Sequence, residues 1–543
     1  MEKIKMNKSV VYILMAGTIS LFMSSCDKDF EEINENQNNP EVVLTSNILN
    51  SATKELTDNS RDAFSSARTT LPWMQYWGQT SYADEDRYLY RETTASNLWR
   101  DYFRVANDFK AIIDFNENPE TRSLMSSVGD NEGQIAVARI MLSYVFHQLV
   151  DSFGDVPYYS YGSDDPEFQA LDVDGAITPV LADQRKVYLD ILNELKEASI
   201  TLSAIEVSVF SSGDNIFGGS AEKWSKFANS LILRVANRLR NVESSVATTA
   251  INEAIARGVF ESNDDNAIQP YEQTDQNGSP LYRAFFVNNR TDFAVAAPFV
   301  NLLKGRELGF GLDPRLFQFA APITATIGSI KDDSFADAAG NAVAENNADD
   351  YEGIPYAFPP INLIPFTTYS FPNSNVLRQD YGEVLMEYAE VAFILSEHNN
   401  WNQEQYENGV RASMERWEVD SDDVEAFVAG LPSASQENVL TQKYVALYMQ
   451  PYEAWAEYRR TGFPKTLILP GDRAELASVQ AATLPAGISP VYNFVPLVSG
   501  ITDLPKRLRY PIVLQTLNGA NRAAAVAKLG SDTVTESLFW DNN

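Results

Sequence analysis

The sequence predicts a mainly α protein in which paired helices form a scaffold interrupted by long irregular segments. Two observations carry this. Apolar residues recur at spacings of three and four in several separate stretches, which places them on one face of a helix. Between those stretches, 265–382 and 465–530 are rich in Pro, Asn, Asp and Gly and hold no sustained stripe. With 44% hydrophobic residues over 543 positions, there is material for a large core.

Taken in chain order, residues 1–25 read as a secretory leader. Lys3, Lys5 and Lys8 precede an uncharged run at 10–23, too short to span a bilayer but suited to a leader core. Ser24 and Ser25 then lead to Cys26, the only cysteine in the chain. A lone thiol after small residues at the end of such a core resembles a lipobox, although Met23 stands where Leu is commoner. Cys26 is therefore the expected lipidation site. Residues 26–40 follow as an acidic tether (DKDFEEINE, then NQNNP) between lipid and fold.

From 41 to 543 the chain reads as one domain, with helical repeats around 41–60, 95–115, 132–153, 184–203, 220–258, 383–417 and 437–460. In 132–153 the stripe is Ala138, Met141, Leu142, Val145 and Leu149, and Gly154 is the stop signal. In 220–258 it is Trp224, Phe227, Ala228, Leu231, Val235 and Leu239, with Gly258 as the stop. Leu385, Tyr388, Ala389, Ala392 and Leu395 mark the next repeat. Leu440, Tyr444, Leu447 and Tyr448 mark the last, ahead of Gly462 and Pro464. Helix pairs with small residues at their contacts indicate degenerate tetratricopeptide-like repeats.

Composition excludes several functions. A net charge of −32 is wrong for a nucleic-acid binder, which needs a basic face. One cysteine and two histidines rule out multi-Cys metal sites and leave little room for a His-based one. No Ser or Cys sits in a recognisable nucleophile setting. His147 with Asp151 is read as a structural helix-face pair and His398 as a solvated helix end. Arg459, Arg460, Lys506, Arg507 and Arg509 are basic islands expected to pair with carboxylates between helices. The acidic segment 331–353 could attract calcium, but neither it nor DVDG at 172–175 has EF-hand spacing. No cofactor is expected beyond the lipid on Cys26, with Ca2+ a minor possibility and no metal site assigned.

Candidate binding residues lie in ring-rich segments outside the main stripes. Residues 71–103 hold nine aromatics, among them Trp73, Trp77 and Tyr82, with Asp84 and Arg87 nearby. Sugar rings offer apolar faces to Trp and Tyr and hydroxyls to Asp, Asn and Arg. The proline-rich 351–372 adds Tyr356 and Tyr369, and 281–299 adds Asn289, Arg290 and Asp292. Amides, a guanidinium and rings suit sugar and peptide ligands equally. Trp77 is the foremost stacking candidate and Tyr369 the second. The competing reading is that these rings are core.

An ordered set of segments adds a resemblance. ARIMLSYVFHQLVDSFGDVPY (138–158), EKWSKFANSLILRVANRL (222–239), DPRL (313–316) and MEYAEVAFILSEHNNW (386–401) come first. NGVRASMERW (408–417), LTQKYVALYMQPYEAWAEYRRTGFP (440–464) and PKRLRYP (505–511) follow. With QYWGQTSYADEDRY (75–88) and the Cys26 signal, the chain resembles the SusD/RagB-like family of outer-membrane lipoproteins, in its SusD-like branch. The resemblance implies a surface protein of Bacteroidetes-type bacteria, lipid-anchored in the outer membrane and facing the exterior. It implies a tetratricopeptide-like scaffold with an irregular ligand-binding half. It also implies capture of a nutrient, a glycan or oligosaccharide first and a peptide second, for delivery to a SusC-like TonB-dependent transporter, without enzymatic activity. The rival readings are a surface glycoside hydrolase, whose two carboxylates so acidic a chain supplies trivially, and a helical interaction scaffold without small ligands.

Overall fold

Helix α3 (Asn131–Phe153) sits at the centre of the scaffold. The computed structural model describes residues 42–172, 175–335 and 347–541. Residues 42–44 fall in a separate short unit without regular structure, and the body begins at Thr45. Cys26 and the tether lie outside the described residues.

Six helices follow one another and pack in succession: α1 (Thr45–Ser60), α2 (Glu92–Glu117), α3, α4 (Gln184–Ser203), α5 (Ala221–Leu239) and α6 (Ser244–Arg257). The second group comprises α7 (Tyr388–His398), α8 (Gln403–Arg416), α9 (Ser421–Ala429), α10 (Gln436–Ala446) and α11 (Pro451–Thr461). In it α7 packs on α8, α10 and α5. A later helix, α12 (Gly519–Leu529), belongs to the C-terminal segment.

Local chemistry sets the ends. The Asp130 side chain accepts from the Gly133 amide at the start of α3, and Ser220 accepts from Lys223 at the start of α5. Gly462, with φ of 71°, ends α11 in the left-handed conformation that glycine adopts without strain. Pro451 begins α11, where its missing N–H is not needed.

The structure corrects the sequence reading in three places. The stretch 383–417 is not wholly helical, because Glu383–Met386 is strand β4, paired with β2 (Ala267–Gln269) ahead of α7. Leu440 to Tyr448 is not one stripe: α10 ends at Ala446, and Met449, at φ of 69°, turns the chain into α11. Finally, α3 buries every residue from Gly133 to Phe153, not one face. Among its buried polar groups, Arg139 donates to Glu194 at 2.8 Å and Glu197 at 2.6 Å.

A buried ion network ties α3, α5, α7 and α11 together. Arg234 donates to both oxygens of Glu390. Arg238 donates to Glu453 and Glu457 at 2.7 Å each and lies 3.3 Å from Asp151. Arg460 grips Glu397 with two bonds of 2.7–2.8 Å. Arg459 departs from the expected pairing: it donates to the backbone oxygens of Asp151 and Lys506, and its guanidinium lies 3.6 Å from the Trp455 ring centre. Arg507 pairs with Asp532, Lys506 with Asp541, and Arg509 with Glu92. Buried His147 faces Asp151 at 3.2 Å, and desolvation lowers it to about 4, so it is neutral at pH 7.

The irregular half is stitched by small antiparallel ladders. β1 (Trp77–Gln79) pairs with β3 (Phe293–Val295), Trp77 opposite Val295 and Gln79 opposite Phe293. β5 (Arg473–Glu475) pairs with β6 (Val491–Asn493).

Candidate ligand-binding surface

The β1–β3 ladder explains how residues some two hundred positions apart come to share one surface. Beyond its end, the Thr80 amide donates to the Asp292 carbonyl at 2.8 Å. This sets Tyr82 against the 290–292 segment. The Tyr82 hydroxyl donates to Asp292 Oδ2 at 3.2 Å, and Arg290 Nη2 pairs with the same oxygen at 2.8 Å. Arg68 Nη2 donates to the Tyr82 hydroxyl at 3.1 Å. Partial burial raises the Tyr82 phenol to about 12, so it remains protonated and able to donate.

Phe64 closes this circle. After α1, Asp62 Oδ1 accepts from the Phe64 and Ser65 amides at 2.9 and 2.7 Å, and this turn props the Phe64 ring outward, half exposed. The guanidinium of Arg68 lies 5.2 Å from the ring centre and that of Arg290 lies 5.3 Å from it. Both guanidiniums thus lie against the ring, Arg68 anchored to Tyr82 and Arg290 to Asp292. Beside it lies a cavity of about 250 Å³ lined by Phe64, Arg290, Arg283, Asn288, Asp58 and Asp62, among others. Arg283 pairs with Asp58 at 2.7 Å. An exposed, immobilised ring bordered by guanidinium, amide and carboxylate groups can stack on the apolar face of a sugar and bind its hydroxyls.

Of the residues expected from sequence, Tyr82, Arg290 and Asp292 converge here. Asn289, exposed at φ of 52°, turns the chain between the cavity residues Asn288 and Arg290. Asp84 is exposed and Arg87 donates to the Val495 carbonyl at 2.8 Å, and neither lines the cavity.

Four candidate rings are core, which removes them as stacking platforms. Trp77 is fully buried between Phe285 and Phe293, with its indole N–H donating to the Tyr448 hydroxyl at 2.9 Å. Trp73 packs edge-on against Tyr90 and Trp455. Tyr356 is buried against Phe494, and Tyr369 against Phe366 and Phe371. The physical reason is that β1 runs through the interior, buried at all three residues, so its indole serves packing. Phe64 and Arg68 escaped the sequence reading because DAFSSAR has no ring cluster. Its readable signal was a lone Phe among small and polar residues directly after a helix.

Among the described residues, no group of three or more His, Cys, Asp and Glu is arranged to hold a metal ion, and no helix is long and apolar enough to cross a membrane.

The fold defines a class: a helical-repeat scaffold with a long irregular half. Comparison then gives the family. Residues 37–483 match the SusD-like family described as "Starch-binding associating with outer membrane", and 432–541 match the one described as "Susd and RagB outer membrane lipoprotein". The chain belongs to the SusD-like family of outer-membrane lipoproteins, whose members are binding proteins. Among solved structures it is similar to a chitin-binding protein at 22% identity, with 92% of this chain and 100% of that one covered and a TM-score of 0.70. It is also similar to a SusD homologue from Bacteroides uniformis, at 22% identity, 91% and 99% coverage and a TM-score of 0.66. A chitin-binding SusD homologue from Flavobacterium johnsoniae gives 20%, 91% and 99%, and 0.65. At these identities the likenesses establish the fold. No curated protein matches the chain.

Proposed function

We propose that this protein captures an oligosaccharide at the Phe64 surface, outside the cell, and passes it to a SusC-like TonB-dependent transporter. The observation that carries the reading is the half-exposed Phe64 ring, held by the Arg68 and Arg290 guanidiniums and lining a cavity. The family description and the chitin-binding relatives support a glycan over a peptide. Binding without hydrolysis fits the carboxylates present. Asp58 accepts from Tyr271 and Arg283, and Asp62 from two backbone amides, so both are committed to holding the site together.

Calorimetry with oligosaccharides selected on a glycan array tests the reading. Phe64→Ala should weaken binding by about 1–3 kcal/mol, by analogy with hot-spot aromatics. Unchanged affinity would sink the Phe64 platform, and release of shorter sugars would identify a hydrolase. Cys26 is proposed as the anchor: Cys26→Ser should leave the protein without acyl label and free of the outer membrane. A variant still labelled and membrane-bound would refute the lipid assignment.

A further inference from the structure

The segment 280–288 has two sides. Arg283, Ala284 and Asn288 face the Phe64 cavity, whereas Tyr282 and Phe286 line a separate cleft of about 500 Å³. The turn between them is widened: residues 283–287 form a π-helical turn in which the Asn288 amide donates to the Arg283 carbonyl at 2.8 Å. We propose that the cleft is a second saccharide site, seating one sugar unit against Phe286, and that it prefers neutral or amine-bearing units over sulfated or uronic ones. The choice of ligand class rests on the saccharide-binding reading of the chain; the second location does not.

Four features argue for it. The volume falls in the range of small-ligand pockets. Phe286 is half-buried, braced by Tyr282 at 5.3 Å and Phe285 at 6.3 Å, so it is a fixed ring with an accessible part. A prepared acceptor stands beside it: Asp275 Oδ1 accepts from the Tyr282 hydroxyl at 2.7 Å and from the Gln379 amide at 3.1 Å, while Gln379 also donates to the Tyr282 hydroxyl at 2.8 Å. These bonds lower the Asp275 carboxyl below its ordinary range, the Tyr282 bond most, so it stays an acceptor at neutral pH. Finally, the exposed Lys331 ammonium lies 5.8 Å from the Tyr282 ring centre and 5.9 Å from that of Phe286, where its flexible stem lets it donate to a hydroxyl of a seated unit.

The charge balance sets the preference. The cleft's lining includes Asp275, Asp332, Asp333 and Asp380 against Lys331 and Arg378, so an anionic unit meets net repulsion. The Phe64 cavity is lined by two carboxylates and two guanidiniums and carries no such bias.

The test uses the full-length protein on an array of neutral, amine-bearing, uronic and sulfated oligosaccharides. The neutral or amine-bearing oligosaccharide of at least four units that binds best is then taken to calorimetry. Phe286→Ala and, on the rim, Asp275→Asn and Gln379→Ala should each weaken binding about tenfold with the melting temperature of the rim variants unchanged. Sulfated and uronic members should fail to bind at this cleft, so that Phe64→Ala abolishes whatever affinity they show. If both rim variants bind like wild type while Phe64→Ala does not, the second site is wrong and the first stands. If both rim variants lose affinity while Phe64→Ala keeps it, the second cleft stands and the Phe64 reading falls. A wild-type protein that binds no array sugar overturns both.

Discussion

Where α3, α5, α7 and α11 meet, arginines are sealed in. The Arg234 and Arg238 side chains are 1% exposed or less, and their carboxylate partners lie on neighbouring helices. Around Phe64 the same side chain works at the surface: Arg290 is 34% exposed, pairs with one carboxylate and turns the rest of its guanidinium to a ring. The rings divide in the same way, Trp77 fully buried and Phe64 half exposed. Side-chain chemistry is shared by the two regions; what differs is solvent access. Burial turns a guanidinium or an indole into a fastener, and partial exposure leaves it capacity for a ligand.

The comparison can be broken by substitution. The largest effect should come from Arg238→Met, which leaves Asp151, Glu453 and Glu457 facing one another without their shared cation. Losing one partner of a buried charge cluster costs about 3–5 kcal/mol, to be read as the shift in chemical denaturation. A loss near zero would mean that water reaches the cluster. Trp77→Ala should cost a similar ~3–5 kcal/mol, accompanied by an early melt. Retained stability with lost sugar affinity would return Trp77 to the ligand surface.

Leu231, 1% exposed on α5, gives the purely apolar counterpart. Leu231→Ala should destabilise by ~2–5 kcal/mol, and a change below about 0.5 kcal/mol would mean that its face had been misassigned.

A smaller effect should appear with pH. Burial raises Glu383 and Asp86 each to about 8, and neither Glu383 oxygen has a hydrogen-bond partner among the described residues. Nearby Arg61 and Arg416 offset this only in part. A carboxyl raised on folding stabilises below its unfolded pKa, and that stability is lost as pH rises through the folded value. His147, lowered to about 4, acts in the opposite sense, costing stability as pH falls below its unfolded value, so above about 6.5 the carboxyls act alone. Stability should therefore fall between about pH 6.5 and 8.5, by about 1–2 kcal/mol per group. Glu383→Gln should make that slope shallower, with Asp86 still contributing, and a melting temperature constant over this range in the parent protein would contradict the assignment. The smallest stability effect belongs to Phe64→Ala, at about 0.5 kcal/mol or less, because the ring stands largely outside the core.

Periodicity and stop signals are local properties, and they were readable. Gly154, Gly258 and Gly462 follow where their helices end. β4 was hidden because Leu385 fits a helical spacing as well as a strand one, and only pairing with β2 decides between them. In the candidate site, residue types at 281–299 pointed to Arg290 and Asp292. The ring that completes the surface, Phe64, lies some two hundred residues earlier, with no spacing to link them.

By itself, then, the amino-acid order determined a helical-repeat scaffold, its internal breaks at glycine and proline, an acidic charge and a single cysteine. Helix propensity and amphipathic period act over a few residues, and net charge needs no partner. The tertiary structure decided which rings are core and which face solvent, which arginines are locked between helices, and that Tyr82 meets Asp292. Those outcomes depend on contacts between distant segments, made here by the β1–β3 ladder, and the same Trp or Arg can serve packing or binding until such contacts set its exposure.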